Sequence, residues 1–72
     1  MTTRVLEKRF GTIAVEKGFI TLDQLVKAMN IQILEDVEKG VHRLIGEILL
    51  ELGFITIPQI DEVLDSLVKN PY

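Results

Sequence analysis

Gly11-Thr-Ile-Ala-Val-Glu-Lys-Gly-Phe-Ile-Thr-Leu-Asp-Gln24 returns, 35 residues on, as Gly46-Glu-Ile-Leu-Leu-Glu-Leu-Gly-Phe-Ile-Thr-Ile-Pro-Gln59. Eight of the fourteen positions are identical: Gly11/Gly46, Ile13/Ile48, Glu16/Glu51, Gly18/Gly53, Phe19/Phe54, Ile20/Ile55, Thr21/Thr56 and Gln24/Gln59. A repeat of this period means that one supersecondary unit is used twice. Each copy holds apolar residues at helical spacing, a glycine, and then a Thr-x-x-Gln cap. The expected fold is therefore all-α, two helix–turn–helix repeats forming a small four-helix domain. The reading is of one domain over residues 1–72, with repeat 1 at about 3–38 and repeat 2 at about 43–69.

Working outward, the first helix is expected from Thr3 to Lys17, with Leu6, Phe10, Ile13 and Ala14 on its apolar stripe. Gly18 stops it, because a residue just past a helix end takes the left-handed conformation that glycine adopts without cost. Thr21 and Gln24 form a capping box, and Ile20 and Leu25 sit where a hydrophobic staple places its members. The second helix then carries the stripe Leu22, Leu25, Met29, Ile33, widened by Ile31, Leu34 and Val37, and ends near Gly40. A third helix is expected from Arg43 to Leu52, stopped by Gly53. The fourth opens at Thr56 with a second capping box through Gln59. Pro58 is tolerated in its first turn, where no N–H partner is lost. Ile60, Val63, Leu64, Leu67 and Val68 are expected to face inward, and Asn70-Pro71 closes the chain. Gly18, Thr21, Gly53 and Thr56 are thus structural corners, not chemistry.

The chain has 72 residues, no cysteine and a net charge of −3. So small a domain buries only about 60% of its unfolded surface, and no disulfide assists it. Yet 47% of its residues are hydrophobic, which predicts apolar surface left over for self-association or docking. Leu50 and the flank Ile31/Leu34 are the sequence candidates for that surface. Residues 1–17 are net +2, through Arg4, Lys8, Arg9 and Lys17 against Glu7 and Glu16, and the remainder is net −5. No apolar run reaches the ~20 residues of a membrane span, and the charged N-terminus lacks a signal peptide's apolar stretch. Together with the absence of cysteine, these features lead us to expect a cytoplasmic protein, and Met1 and the stop after the fourth helix suit a complete short chain.

Residues 9–32, Arg-Phe-Gly-Thr-Ile-Ala-Val-Glu-Lys-Gly-Phe-Ile-Thr-Leu-Asp-Gln-Leu-Val-Lys-Ala-Met-Asn-Ile-Gln, resemble the N-terminal domain of type II secretion and type IV pilus assembly ATPases. That family is built from blocks of the form R-L-G-x-x-L-x-x-x-G followed by L-x-x-x-L-x-x-Q. In one branch two such blocks bind the bacterial messenger cyclic di-GMP, and in others the domain docks onto the secretion machinery. Arg9, Gly11, Gly18, Leu25, Met29 and Gln32 fall at the family spacing, with Phe10 in place of Leu. The second block keeps Gly46, Gly53, Ile60 and Leu64 but has Leu44 at the Arg position and Leu67 at the Gln position. The resemblance spans residues 9–67. It implies an interaction module or, as the alternative, a cyclic di-GMP sensor with its ligand at Arg9, Phe10, Gly11 and Gln32, within one chain or across a homodimer. An arginine fork can pair with phosphate or guanine, glutamine both donates and accepts, and a glycine lets a ligand approach closely.

Other classes fit less well. No catalytic constellation, phosphate loop or metal-ligand spacing is present, so neither a catalytic residue, a metal nor a resident cofactor is expected. His42 reads as a surface residue of the linker. The ATPase core of the larger family is missing. DNA binding is opposed by acidic second and fourth helices, and the tetratricopeptide signature is absent. The sequence reading is a non-enzymatic module whose partner is another protein or a second copy of itself.

Overall fold

In a computed structural model the backbone is described for residues 2–69 and the side chains for residues 8–69. Leu6, Arg4 and Asn70-Pro71, named above, lie outside the described side chains. Four helices follow in order: α1 (Thr2–Glu16), α2 (Leu22–Lys39), α3 (Ile45–Glu51) and α4 (Ile57–Lys69). There is no strand among the described residues. The all-α, four-helix expectation holds.

The two corners are built alike. After α1, the Phe19 N–H donates to the Ala14 carbonyl and the Gly18 N–H to that of Val15; after α3, Phe54 donates to Leu49 and Gly53 to Leu50. This paired pattern closes the helix end and satisfies its last carbonyls. It requires a left-handed residue, and Gly18 and Gly53 have φ of 78° and 79°. The next helix starts at once. Gln24 N–H donates to Thr21 Oγ1 and Thr21 N–H to Gln24 Oε1. Thr56 and Gln59 repeat both bonds. Each box satisfies two backbone donors that would otherwise face a helix start unmatched.

Helix α3 is shorter than expected. It begins at Ile45, not Arg43, with Leu44 extended before it. Leu44 has no side-chain oxygen to cap with, so Glu47 reaches back and accepts from the Leu44 N–H at 3.1 Å. Arg43 is drawn out of the helix by its own ion pairs, described below.

Helix α2 packs chiefly on α3, α4 on α1, and α1 on α3, with a smaller α1–α2 contact. Nine residues form the buried cluster: Phe10, Ala14, Ile20, Ala28, Ile45, Ile48, Leu49, Ile55 and Val63. Eight of them fall into pairs 35 residues apart: Phe10/Ile45, Ala14/Leu49, Ile20/Ile55 and Ala28/Val63. Ile48, Leu49 and Val63 are fully enclosed, each worth about 1.5–3 kcal/mol in removed apolar surface. Gly46 lets the Phe10 ring lie against the α3 backbone, where an added Cβ would stand 3.2 Å from Phe10 Cζ.

The inward faces of α2 and α4 are only partly those expected. The buried line of α2 centres on Ala28, flanked by half-buried Leu25 and Ile31, while Leu22, Met29 and Ile33 are exposed. On α4, Val63 is buried with Ile60 and Leu67 half-buried, whereas Leu64 and Val68 point outward. On α2 the bulkier apolar stripe and the core stripe are separate, turned by about 100° per residue step from Met29 to Ala28. The small Ala28 lets α2 approach the body of the domain, and the larger side chains are left outside. The molecule is only 18 Å across in its thinnest direction, about two helix diameters.

Candidate functional site

A cleft of about 530 Å³ lies between α1, α2 and the connector before α3. That volume is within the range of small-ligand pockets. Its lining includes Gly11 and Thr12 of α1, Leu25, Met29, Gln32 and Ile33 of α2, and His42 and Ile45 at the far end. Lys8 and Asp36 also line it, with opposite charges. Most of the wall is apolar, with a few polar groups.

Each side chain is placed by a local cause. Gly11 lies where α1 meets Leu25, and a Cβ there would come to 2.7 Å from Leu25 Cδ1. Glycine is what allows the approach. Next to it, Thr12 Oγ1 donates to the Lys8 carbonyl, one turn back, at 2.9 Å, which folds the hydroxyl along the helix. On the opposite wall, Gln32 Nε2 donates to the Arg43 carbonyl at 2.8 Å. This bond ties α2 to the connector and orients the amide along the cleft.

The connector is held by charge. Arg43 Nε and Nη2 donate to Glu35 Oε1 and Oε2 at 2.9 and 2.8 Å, and Nη1 donates to Glu51 at 2.9 Å. One guanidinium thus joins α2 to α3 in the forked geometry that suits a carboxylate. The hydrogen bonds from Arg43 hold the Glu35 carboxyl below its ordinary value. Reciprocally, Glu35 and then Glu51 raise the Arg43 guanidinium further. Next to it, His42 Nδ1 lies 3.1 Å from both carboxylate oxygens of Asp36. The C-cap Gly40, at φ 66°, turns the chain so that His42 can return to α2.

Of the residues singled out for ligand binding, Gly11 and Gln32 line the cleft together with Leu25 and Met29 of the same sequence block. Arg9 is half-buried and outside the lining, and Phe10 belongs to the core. Lys8 supplies the cation of the lining in their stead. Sequence reasoning missed Thr12, Ile33, Asp36 and His42. The signal for the last two was a carboxylate and a histidine on either side of a helix-ending glycine. Among the described residues no group of three or more His, Asp or Glu is gathered as a metal site.

A second feature borders the cleft. Leu22, Val26, Met29, Ile33 and Val37 are 64, 46, 42, 56 and 79% exposed. Their spacing of three or four residues places them on one side of α2. None of the five positions is charged, and Asp36, three residues after Ile33, borders the line. The corresponding positions of α4, 35 residues on, are Ile57, Asp61, Leu64 and Val68, so there the line is broken by a carboxylate. Of the surface candidates read from sequence, Leu34 and Leu50 are exposed, but Ile31 packs against the core. No helix of the described residues is long and apolar enough to cross a membrane. Comparison with known protein families, with curated proteins and with solved structures found no match to this chain.

Proposed function

We propose that this chain is a non-enzymatic docking module that binds a protein partner through the outer face of α2. The observation that carries the reading is the unbroken line Leu22, Val26, Met29, Ile33, Val37 at the surface. Exposed apolar side chains are ordinary when scattered, but a contiguous line of them marks a contact surface. An amphipathic helix in a partner would read it as anchors spaced three and four apart. The test is site-specific photo-crosslinking from Leu22 and Val37, with Asp61 and Asp65 of α4 as control positions. Adducts identified by mass spectrometry at the α2 positions, and lost on Val26→Glu, support the reading. Equal crosslinking from α4 overturns it.

A second reading is a cyclic di-GMP sensor. It is supported by the cleft, whose lining includes Gly11, Leu25, Met29 and Gln32 of the first block, beside the Lys8 ammonium. Calorimetric titration with cyclic di-GMP tests it. Saturable heat that is lost in Lys8→Ala favours it, and no heat at millimolar ligand ends it.

A further inference from the structure

We infer that the occupant of the α2 face is a second copy of this chain, with the two α2 helices antiparallel about a two-fold axis near Met29 and Asn30. This rests on the docking reading and names its partner.

The spacing of the line is symmetric about its own midpoint. Leu22 and Val37 lie equally far from the point between Met29 and Asn30, and so do Val26 and Ile33. An antiparallel copy therefore sets Leu22 on the partner's Val37 and Val26 on the partner's Ile33, with Met29 near its own copy. Leu22 and Ile33 each meet a valine, which lets the layers interdigitate. A two-fold interface uses one patch twice, so self-complementarity of this kind is its condition.

The helix dipoles, not the bordering charges, select the direction. A parallel pair would place Asp23 beside Asp23, Lys27 beside Lys27 and Asp36 beside Asp36, each a like-charge contact that costs energy. The antiparallel pair separates these residues from their own copies but sets Asp23 level with the partner's Asp36, so the bordering charges do not favour it. It is favoured because it opposes the two helix dipoles.

The area suits a weak dimer. The five side chains together expose nearly the surface of three whole side chains. Complete burial on both copies removes on the order of 1,000 Å², the size of a weak, concentration-dependent contact. The corresponding face of α4, interrupted by Asp61, offers no such unbroken line.

The chain has no cysteine, so single introduced cysteines report the geometry directly. Under mild oxidation Met29→Cys should form a crosslinked dimer. Leu22→Cys and Val37→Cys should each crosslink poorly alone and readily when mixed. Sedimentation equilibrium should show the wild-type mass doubling with concentration. Ile33→Glu and Val37→Glu, both at exposed positions, should keep their helical spectra and remain monomeric. Crosslinking of Leu22→Cys to itself would overturn the antiparallel arrangement. Crosslinking of Met29→Cys to Leu64→Cys in preference to itself would overturn the α2–α2 pairing. A wild type monomeric up to millimolar concentration overturns the second copy as occupant. In that case the photo-crosslinking from Leu22 and Val37 decides separately whether a different protein covers the face.

Discussion

Gln32 Nε2 donates a 2.8 Å hydrogen bond to the Arg43 carbonyl, joining the last polar residue of the first sequence block to the connector that starts the second. The amide thus holds one wall of the cleft as well as facing it. Gln32→Leu removes the donor and leaves a part-buried carbonyl unsatisfied. We expect a loss of about 1 kcal/mol in urea unfolding, with faster amide exchange in residues 40–44. An unchanged midpoint with unchanged exchange would show that the bond does not hold the connector.

The corners give a second prediction. A Cβ at Gly18 or Gly53 meets nothing within 4 Å, so any cost of substitution comes from the backbone alone. Gly18→Val and Gly53→Val should each lose about 1–3 kcal/mol, while the asparagine variants should retain most of the stability, since Asn tolerates left-handed φ. Valine and asparagine variants that melt together would refute this origin.

Thr21→Ala and Thr56→Ala should each cost about 1 kcal/mol. The hydrogen bonds at the two boxes are of closely similar length, so the losses should be alike. A silent variant at one site, in thermal melts, would mean that packing and not the cap starts that helix.

The two helical glycines should differ. An added side chain at Gly46 presses the enclosed Phe10 ring, so Gly46→Leu should overpack the core and cost about 1–3 kcal/mol. At Gly11 the atom in the way is the end of the Leu25 side chain, which can swing toward the cleft. Gly11→Ala should therefore change stability by less than about 1 kcal/mol, with helix propensity offsetting the displacement. Chemical denaturation of both variants reads the contrast directly, and equal losses would contradict it.

The Arg43–Glu35 pair predicts a pH dependence. Glu35 titrates below its ordinary value of 4.5 when folded, so the unfolded chain takes up its proton first as pH falls. The stabilisation is fully present above that ordinary value and is lost as pH drops through the lowered folded value. Melts of wild type and Glu35→Gln from pH 7 to pH 3 should converge at the acid end. A constant gap across the range would assign the effect to something other than the carboxylate charge.

Much of the fold was legible in local chemistry. Glycines at Gly18 and Gly53, with Thr21 and Thr56 three residues later, dictate helix ends and starts through bonds within a few residues. That is why those positions matched. The facing of α4 was legible at Ile60, Val63 and Leu67, but that of α2 was largely not. Periodicity reveals that Leu22, Met29 and Ile33 share a side but not that a neighbouring side centred on Ala28 is the one buried. Which side turns inward is decided by the neighbours α1 and α3, and by the close approach that a small residue permits. The site was half legible for the same reason. Gly11 and Gln32 lie in blocks with a recognisable spacing, whereas Asp36 and His42 meet only because Gly40 reverses the chain.

The measurement that tests the account most directly is the melting temperature of wild type and Ile33→Glu as a function of chain concentration. An outward α2 face covered by a second copy predicts equal melting at low concentration, since a charge at an exposed position costs little. It also predicts a rise with concentration for the wild type alone, by mass action. An Ile33→Glu chain that melts far below wild type even when dilute would place this line in the core and contradict the account.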